Sequence, residues 1–298
     1  MAKIDPMTQD QLRSKMVRAA WDGNLARLTE LMAAAEEPSL FNISTSGEGT
    51  PLMSAAEGGH VDCVRALLPR SNPRARDEDG DTALIVAAFS NAVECVAALA
   101  SVSDANAVDS DGKTALLWAA SRENKGILDI LIPLSDLETR DNDGRTALLV
   151  AIAHNDLAAV KALAAAGADF RAVDKNKQTA LMLAVGNKEC AGDKLRALVQ
   201  LAMSAAPDFI LAENISGKSA MEYVVAHGAW ECADLVAEHS DPARAEKAFE
   251  EGGAEKMPRW AAKKEAEALG SVVQKTSAAR LANGASEPLA TGRKPRSL

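Results

Sequence analysis

Six similar segments recur along the chain at nearly constant spacing. Five of them read Thr, then Ala or Pro, then Leu, and they begin at Thr50, Thr82, Thr114, Thr146 and Thr179. The steps between these five are 32, 32, 32 and 33 residues, and a weaker copy, SAMEYVV, follows 40 residues later at Ser219. A unit of this size is too small to bury its own apolar side, so the repeat predicts units that stack on one another.

Each copy predicts a turn followed by two short helices. Asp, Asn and Gly precede the Thr in DEDG (77–80), DSDG (109–112) and DNDG (141–144), and these residue types favour tight turns. The Thr stands where a helix would begin and is a preferred N-cap residue. An Ala- and Leu-rich stretch, a polar break such as EGGH (57–60) and a second apolar stretch such as VDCVRALL (61–68) complete the unit.

These segments resemble the ankyrin repeat family. TPLMSA at 50–55 is the nearest match to the family motif T-P-L-H-x-A, and GGH at 58–60 and GAD at 167–169 resemble other signature positions of that family. The resemblance implies an all-α, ankyrin-type repeat solenoid, in which helix–turn–helix pairs stack and are joined by hairpin-like loops.

The same pattern predicts the organisation of the chain. Capping helices are expected in residues 1–47, repeats in 48–239, a C-terminal helical cap in 240–275 and a disordered tail in 276–298. The six repeats are placed at about 49–79, 80–111, 112–143, 144–176, 177–216 and 217–239.

The copies depart from the family motif in two respects. The motif His is absent, and its positions hold Met53, Ile85, Leu117, Leu149 and Met182. Since the resemblance implies that this His bonds within and between turns, we expect turns that are less tightly tied. The longer step after Thr179 places two extra residues between the helices of that copy and five after its second helix, which predicts a local bulge.

Composition and charge narrow the classes of partner. Hydrophobic residues make up 47% of the chain and aromatic residues only 3%, so the core must consist mainly of small and aliphatic side chains. Residues 1–239 hold 22 Lys and Arg against 34 Asp and Glu. An acidic body repels phosphate backbones, so no nucleic-acid partner is expected.

No membrane partner is expected either. The sequence has no apolar run of transmembrane length, and its first residues lack the apolar stretch of a signal peptide. A cytoplasmic protein is the default expectation, with a nuclear location left open.

The motifs predict no cofactor, no metal and no catalytic residues. SDGKT (110–114) and NISGKS (214–219) imitate a phosphate-binding loop, but Ala107 and Ala212 stand where that loop needs its first Gly. The acidic turns lack one of the three alternating ligands of a calcium loop. That place is taken by Ala75, Ala107 and Thr139. Capped turns explain these acidic residues better than metal binding does.

Three of the four cysteines share one repeat position. Cys63, Cys95 and Cys232 each lie 13 residues after the first residue of their copy, in the second helix. Cys packs as a small apolar side chain, so a core position is expected. Neighbouring helices stack about 8–10 Å apart, whereas a disulfide needs Cα atoms within about 7 Å. Cys190, in the inserted segment, is the cysteine expected to be most exposed.

The resemblance implies that a protein partner lies across the concave side, which is lined by hairpin tips and first helices. Carried over residue by residue, it gives fourteen partner-binding residues at variable positions. They are Glu78, Asp79, Asp81, Phe89, Ser90, Asp111, Lys113, Arg122, Asn142, Asp143, Arg145, His154, Lys175 and Gln178. These residues are acidic at the N-terminal end of the repeats and basic or neutral further along. The acidic end, which consists of Glu78, Asp79 and Asp81, predicts a basic patch on the partner.

Two aromatic residues of the first helices are interpreted differently. Phe89, at a variable position, is either a contact for the partner or a packing residue against a neighbouring helix. Trp118 lies between Leu117 and Ala119 inside its helix, so we expect it in the core.

After residue 239 the repeat is lost. The segment 258–275 predicts a helix whose apolar face covers the last repeat, with Trp260 as an anchor. That face consists of Ala262, Ala266, Leu269 and Val273.

The sequence therefore predicts a non-enzymatic scaffold or adaptor. The alternative is a regulatory or targeting subunit of a kinase, phosphatase or ubiquitin ligase, which also binds a protein but controls an enzyme. A third hypothesis, an enzyme with an unrecognised site in residues 240–298, is disfavoured because that segment is short and contains no His. The identity of the partner does not follow from the fold.

Overall fold

Helices stacked in pairs form the body of the described chain. The structure is a computed structural model that describes residues 8–42, 49–122, 124–187 and 192–282. Its α-helices are α1 (Gln9–Trp21), α2 (Leu25–Ala34), α3 (Pro51–Glu57), α4 (Val61–Leu67), α5 (Ala83–Phe89), α6 (Val93–Leu99), α7 (Ala115–Ala120), α8 (Lys125–Leu131), α9 (Ala147–Ala153), α10 (Leu157–Ala165), α11 (Ala180–Gly186), α12 (Gly192–Ala205), α13 (Ala220–His227), α14 (Ala233–Ala237), α15 (Pro242–Lys256) and α16 (Pro258–Ala282). Short 3-10 helices occur at Pro38–Phe41, Ile132–Leu134, Pro207–Leu211 and Trp230–Cys232.

The helix pairs stack side by side in two layers. The first helices of successive units, α1, α3, α5, α7, α9, α11, α13 and α15, each contact the next one. The second helices, α2, α4, α6, α8, α10 and α12, form the other layer in the same order. One apolar core runs along the whole stack. The all-α repeat solenoid predicted from the sequence is confirmed.

Small and aliphatic side chains fill this core at repeated positions. The alanines five residues after each capping Thr are at most 1% exposed, which lets neighbouring first helices approach closely. They are Ala55, Ala87, Ala119, Ala151 and Ala184. The residues that replace the motif His are also buried, none more than 2% exposed. They are Met53, Ile85, Leu117, Leu149 and Met182.

Each first helix of the five strong copies is capped by the Thr that begins the repeat. The Thr hydroxyl accepts a hydrogen bond from the backbone N–H three residues later, at 3.2–3.5 Å in the five copies. All five Thr residues are buried. An unpaired polar group there would cost about 1–3 kcal/mol, so the cap both satisfies the helix and fixes its starting point.

A side-chain oxygen closes each described turn. In the second copy, Asp77 Oδ1 accepts hydrogen bonds from the backbone N–H groups of Asp79 (3.1 Å) and Asp81 (2.8 Å). Equivalent pairs of bonds, at 2.7–3.0 Å, are accepted by Asp109, Asp141, Asp174 and Asn214. These acidic residues therefore bond the backbone of their own turns, as capped turns require.

Backbone hydrogen bonds also join one turn to the next. The N–H groups of Ser110, Asn142, Lys175 and Ile215 donate to carbonyl oxygens of the preceding turn at 2.8–3.0 Å. The turns are thus tied internally and to each other without the motif His. The expectation of looser turns was wrong, because Asp side chains and this row of bonds supply the connection.

The insertion in the fifth copy lengthens its second helix. Helix α12 has 14 residues, whereas α4, α6 and α8 have 7 each, and the 3-10 helix Pro207–Leu211 follows it. The bulge predicted between the two helices, together with Cys190, falls on residues 188–191, which lie outside the described part of the chain.

The C-terminal helices continue the stack: α15 packs on α13, and α16 packs on α14. The carboxylate of Asp234 accepts hydrogen bonds from the backbone N–H groups of Arg259 and Trp260, both at 3.1 Å, and so fixes the start of α16. The indole of Trp260 is buried in the core, where the sequence placed an anchor.

The apolar face predicted for α16 was wrong in its position. Ala262, Ala266 and Leu269 are exposed, and Val273 is among the residues whose side chains the structure does not describe. Cover for the last repeat comes instead from Met257 and Trp260 and from residues of α15, because only the first turns of α16 contact the stack. The helix also continues to Ala282, past the predicted end of the cap at residue 275.

The fifth turn carries a strained residue that the other turns avoid. Gly80, Gly112 and Gly144 have φ between 75° and 79°, and Lys177 holds the same place with φ of 56°. A side chain in this left-handed conformation costs about 1 kcal/mol. We expect Lys177→Gly to raise the free energy of unfolding by about that amount in urea denaturation. Conversely, Gly144→Ala should lower it, since a Cβ there would lie 3.0 Å from the backbone nitrogen of Lys175.

The C-terminal cap gives a second prediction on stability. Trp260→Ala should lower the free energy of unfolding by about 3 kcal/mol, because it opens a large cavity between α14 and α16. Leu269→Ala on the same helix is the matched control and should change it by less than about 0.5 kcal/mol, since Leu269 is 67% exposed. Urea denaturation measures the free energy of unfolding of both variants. An equal decrease for Trp260→Ala and Leu269→Ala would contradict the exposed position of Leu269.

Candidate protein-binding face

The hairpin tips and the ends of the first helices lie on one side of the stack, which we call the groove face. Three rows of equivalent residues define it. The pre-cap row, just before each capping residue, is Asp81, Lys113, Arg145, Gln178 and Lys218. The inner row, four residues after the cap, is Ser54, Val86, Trp118, Val150, Leu183 and Tyr223. The helix-end row, seven residues after the cap, is Glu57, Phe89, Ser121, Ala153 and Gly186.

Two adjoining depressions lie on the groove face. The smaller has a volume of about 320 Å³, and its lining includes Lys113, Trp118, Arg122, Arg145 and His154. The larger has a volume of about 730 Å³, and its lining includes His154, Gln178, Asn187, Tyr223 and His227. Because both are lined by His154, they form one continuous groove along the third to sixth copies.

All fourteen predicted partner-binding residues have accessible side chains. The exposed ones are Glu78, Asp79, Phe89, Asp111, Arg122, Asn142, Asp143, His154 and Lys175. The half-buried ones are Asp81, Ser90, Lys113, Arg145 and Gln178. The structure brings Lys113, Arg122, Arg145 and His154 together in the smaller depression, whereas Glu78, Asp79 and Asp81 belong to a separate turn.

The carboxylates in the turn of the second copy form no ion pair among the described residues, because the cation of this turn, Arg76, donates instead to the carbonyl oxygens of Gly80 and Val108. Glu78 and Asp79 are exposed, and Asp81 is half-buried. The Oδ1 atom of Asp81 is buried and has no hydrogen-bond partner among the described residues. Burial, followed by the charges of Asp77, Asp109, Asp79 and Asp111, raises the pKa of Asp81 to about 7.

The two following turns hold a cation at the same pre-cap position. The ammonium of Lys113 lies 3.5 Å from an oxygen of Asp111. The guanidinium of Arg145 lies 2.9 Å from Asp141 and 2.8 Å from Asp143. Each of these turns pairs a carboxylate with its pre-cap cation, whereas the turn of the second copy has the carboxylate of Asp81 at the pre-cap position.

An aromatic and basic cluster forms the wall of the smaller depression. The rings of Phe89 and Trp118 meet edge to face with centroids 4.9 Å apart. The ammonium of Lys113 lies 3.8 Å from the Trp118 ring centroid, and the guanidinium of Arg122 lies 4.3 Å from that of Phe89. The indole N–H of Trp118 donates to Asp109 Oδ2 at 2.8 Å. These contacts hold the four side chains in one arrangement.

The core position expected for Trp118 was wrong. Trp118 is only half-buried and lies on the inner row of the groove face, where its indole reaches Asp109 and its ring lines the smaller depression. The interpretation of Phe89 as a packing residue is confirmed, whereas its contact with a partner stays a prediction. Its ring packs against the neighbouring helix through Trp118, yet the residue remains 43% exposed.

Some predicted contacts are engaged inside the protein. Asn142 Nδ2 donates to the carbonyl of Ser110 at 2.8 Å, which ties two turns together. Gln178 Nε2 donates to the hydroxyl of Tyr223 at 2.7 Å. Sequence reasoning missed Tyr223 and Trp21 as surface residues of this face. Aligning AAWDGN (19–24) with AAEGGH (55–60) places Trp21, which is 49% exposed, on the helix-end row.

The three described cysteines are buried thiols without a disulfide. Burial raises the pKa of Cys63, and it raises the pKa of Cys95 to about 11. A thiol held protonated in this way is a poor nucleophile, so these residues act as core side chains. Within the described ranges, no group of three or more His, Cys, Asp or Glu side chains could hold a metal ion. No helix in that part of the chain has the length and apolar character needed to cross a membrane.

Comparison with known proteins agrees with this geometry. A family profile described as Ankyrin repeats (3 copies) matches residues 16–103 and 99–174, which together are more than half of the chain. No curated protein matches the sequence. The crystal structure of the ankyrin repeat domain of Bcl-3, a unique member of the IkappaB protein family, is similar with 25% identity and a TM-score of 0.60, over 74% of this chain and 95% of that one. The chain belongs to the ankyrin repeat family, and its stacked repeats form a protein-interaction domain.

Proposed function

We propose that this protein is a non-enzymatic scaffold or adaptor that holds a protein partner across the groove face. The observation that carries the proposal is the turn of the second copy, where Asp79 and Asp81 have no ion-pair partner among the described residues and the pre-cap position holds Asp81 instead of a cation. A basic patch on the partner, placed against this turn, would supply the charge that Lys113 and Arg145 supply in the next two turns.

The electrostatics of Asp81 support this assignment. With its pKa raised to about 7, the folded protein holds the proton of Asp81 more tightly than the unfolded chain does. Stability therefore falls as the pH rises from the ordinary value of 3.8 to about 7, and the loss is complete above that range. A Lys or Arg of the partner at this turn would restore the lost stability, because it would offset the repulsion among the carboxylates. Partner binding would therefore stabilise the fold.

The adjoining aromatic residue supports a contact in the same region. Phe89 exposes 43% of its surface on the groove face, next to the acidic turn in the stack. Aromatic and Arg side chains contribute most strongly to protein interfaces when a partner shields them from water. Phe89, together with Arg122 stacked on it, is the apolar anchor beside the charged contact.

The charge at position 81 gives a prediction on stability. Asp81→Lys reproduces the turn of the third copy, so it should raise the melting temperature clearly at about pH 8 and by less at about pH 5, where Asp81 is protonated in the fold. Glu78→Lys, at the exposed tip of the same turn, is the control with an equal change of charge and should have a smaller effect. Equal gains at both pH values, or equal gains for both variants, would contradict the account of Asp81.

Affinity capture with quantitative mass spectrometry tests the proposed function. Proteins retained by the wild-type chain should be lost at least tenfold when Asp79 and Asp81 are both changed to Lys, and their retention should weaken as salt is raised. The matched control is Asp62→Lys with Glu94→Lys, which reverses two exposed charges on the second helices. Circular dichroism confirms that each variant is folded. Retention that survives the groove-face reversal would contradict the proposal.

A further inference from the structure

The smaller depression, which we call the basic pocket, has no acidic residue among the described residues that line it. Its ionisable side chains are Lys113, Arg122, Arg145 and His154, and its floor includes Leu117 and Val150. Two exposed carboxylates, Asp111 and Asp143, form ion pairs with Lys113 and Arg145, and Glu123, next to Arg122 in sequence, lies outside the described part of the chain. The first Asp of each turn is bonded within that turn. Asp109 accepts from two backbone N–H groups and from the Trp118 indole, and Asp141 accepts from two backbone N–H groups and from Arg145.

Arg122 is the cation of this pocket that remains available. It is exposed, and no carboxylate among the described residues lies within ion-pair distance of it. Its guanidinium lies over the ring of Phe89 and 6.0 Å from the ring centroid of Trp118. A guanidinium stacked by its face keeps the N–H groups of its edge free, and this edge matches the two oxygens of a carboxylate.

The neighbouring section of the groove has the opposite charge. The carboxylates of Asp79 and Asp81, which have no ion-pair partner among the described residues, belong to the second copy, and Arg122 belongs to the third. The guanidinium of Arg122 lies over Phe89, at the end of α5 opposite Asp81, and the helix between them rises about 12 Å. An extended chain advances about 3.3 Å per residue, so roughly four residues of an extended partner span this distance.

We propose that the basic pocket receives a carboxylate side chain of the protein partner. The occupant is an extended segment that carries a Lys or Arg against Asp79 and Asp81 and, about four residues away, an Asp or Glu against Arg122. This inference rests on the proposed function and makes it more specific, because it fixes both the order and the spacing of charge in the partner. A segment that is basic throughout would place a cation against Arg122 and be disfavoured.

Selection from a random-sequence peptide library displayed on phage tests this inference without a known partner. With the full wild-type chain immobilised, the enriched peptides should pair a basic residue with an acidic residue at a fixed short spacing. With the Arg122→Gln chain, the preference for the acidic residue should be lost and the preference for the basic residue kept. With the chain carrying Asp79→Lys and Asp81→Lys, the preference for the basic residue should be lost.

The enriched peptide then gives a quantitative test by fluorescence anisotropy. Arg122→Gln should weaken its binding about tenfold, Arg122→Lys should weaken it less, and replacing the acidic residue of the peptide by Gln should abolish the difference between wild type and Arg122→Gln. Arg65→Gln is the matched control, since Arg65 is exposed on the second helix α4, and should leave the affinity unchanged. Melting curves establish that the Arg122 variants remain folded.

The results of these experiments distinguish the carboxylate site from the scaffold function on which it rests. Peptides enriched in basic residues alone, or an acidic preference that survives Arg122→Gln, would overturn the basic pocket as a carboxylate site and leave the scaffold proposal standing. If the wild-type chain enriches no peptide over the bare support, both fail together.

Discussion

The helices of a single repeat are too short to be stable alone. Most first and second helices in the repeats have six or seven residues, and isolated helices shorter than about 12–15 residues are marginal in water. Each pair is therefore held by its neighbours, through the buried alanines of the first helices and the backbone bonds between successive turns. The ends of such a stack need covers of their own, and the pairs α1–α2 and α15–α16 occupy those places.

This dependence divides the positions of a repeat into two classes. The capping Thr and the first Asp of the turn bond within their own repeat, and the small residues of the first helix are buried in the core, so these positions are nearly invariant among the strong copies. The pre-cap, inner and helix-end rows differ from copy to copy, although some of their residues, such as Phe89 and Trp118, touch across a repeat boundary. One turn can hold Asp81 where the next holds Lys113, because neither side chain is needed to keep the repeats together. The variety of charge along the groove face follows from this freedom.

The sequence was sufficient for the fold because the signals that specify it are local and repeated. The spacing of Thr50, Thr82 and Thr114 predicted the helix starts, and the capping bonds confirm them. The placement of Trp118 was not predictable from its neighbours in sequence, since Leu117 and Ala119 are both buried while Trp118 faces the groove. The predicted face of α16 failed for a related reason. Helical periodicity shows which residues of α16 share a side, but it does not show at which residue the helix stops contacting the stacked repeats.

The groove face also differs from the framework in how its polar groups are satisfied. Along the framework, Asp109, Asp141 and Asp174 have their oxygens bonded by backbone amides, so they add little to recognition. Asp81 is the contrasting case, because its buried Oδ1 has no hydrogen-bond partner in the described part of the chain and its pKa is raised to about 7. By analogy with Lys113 and Arg145 in the next two turns, a Lys or Arg at position 81 would make the second turn more stable. Residues that lower the stability of a fold occur most often at functional sites. Asp81 is such a residue, and it belongs to the same copy as Phe89, on which Arg122 stacks.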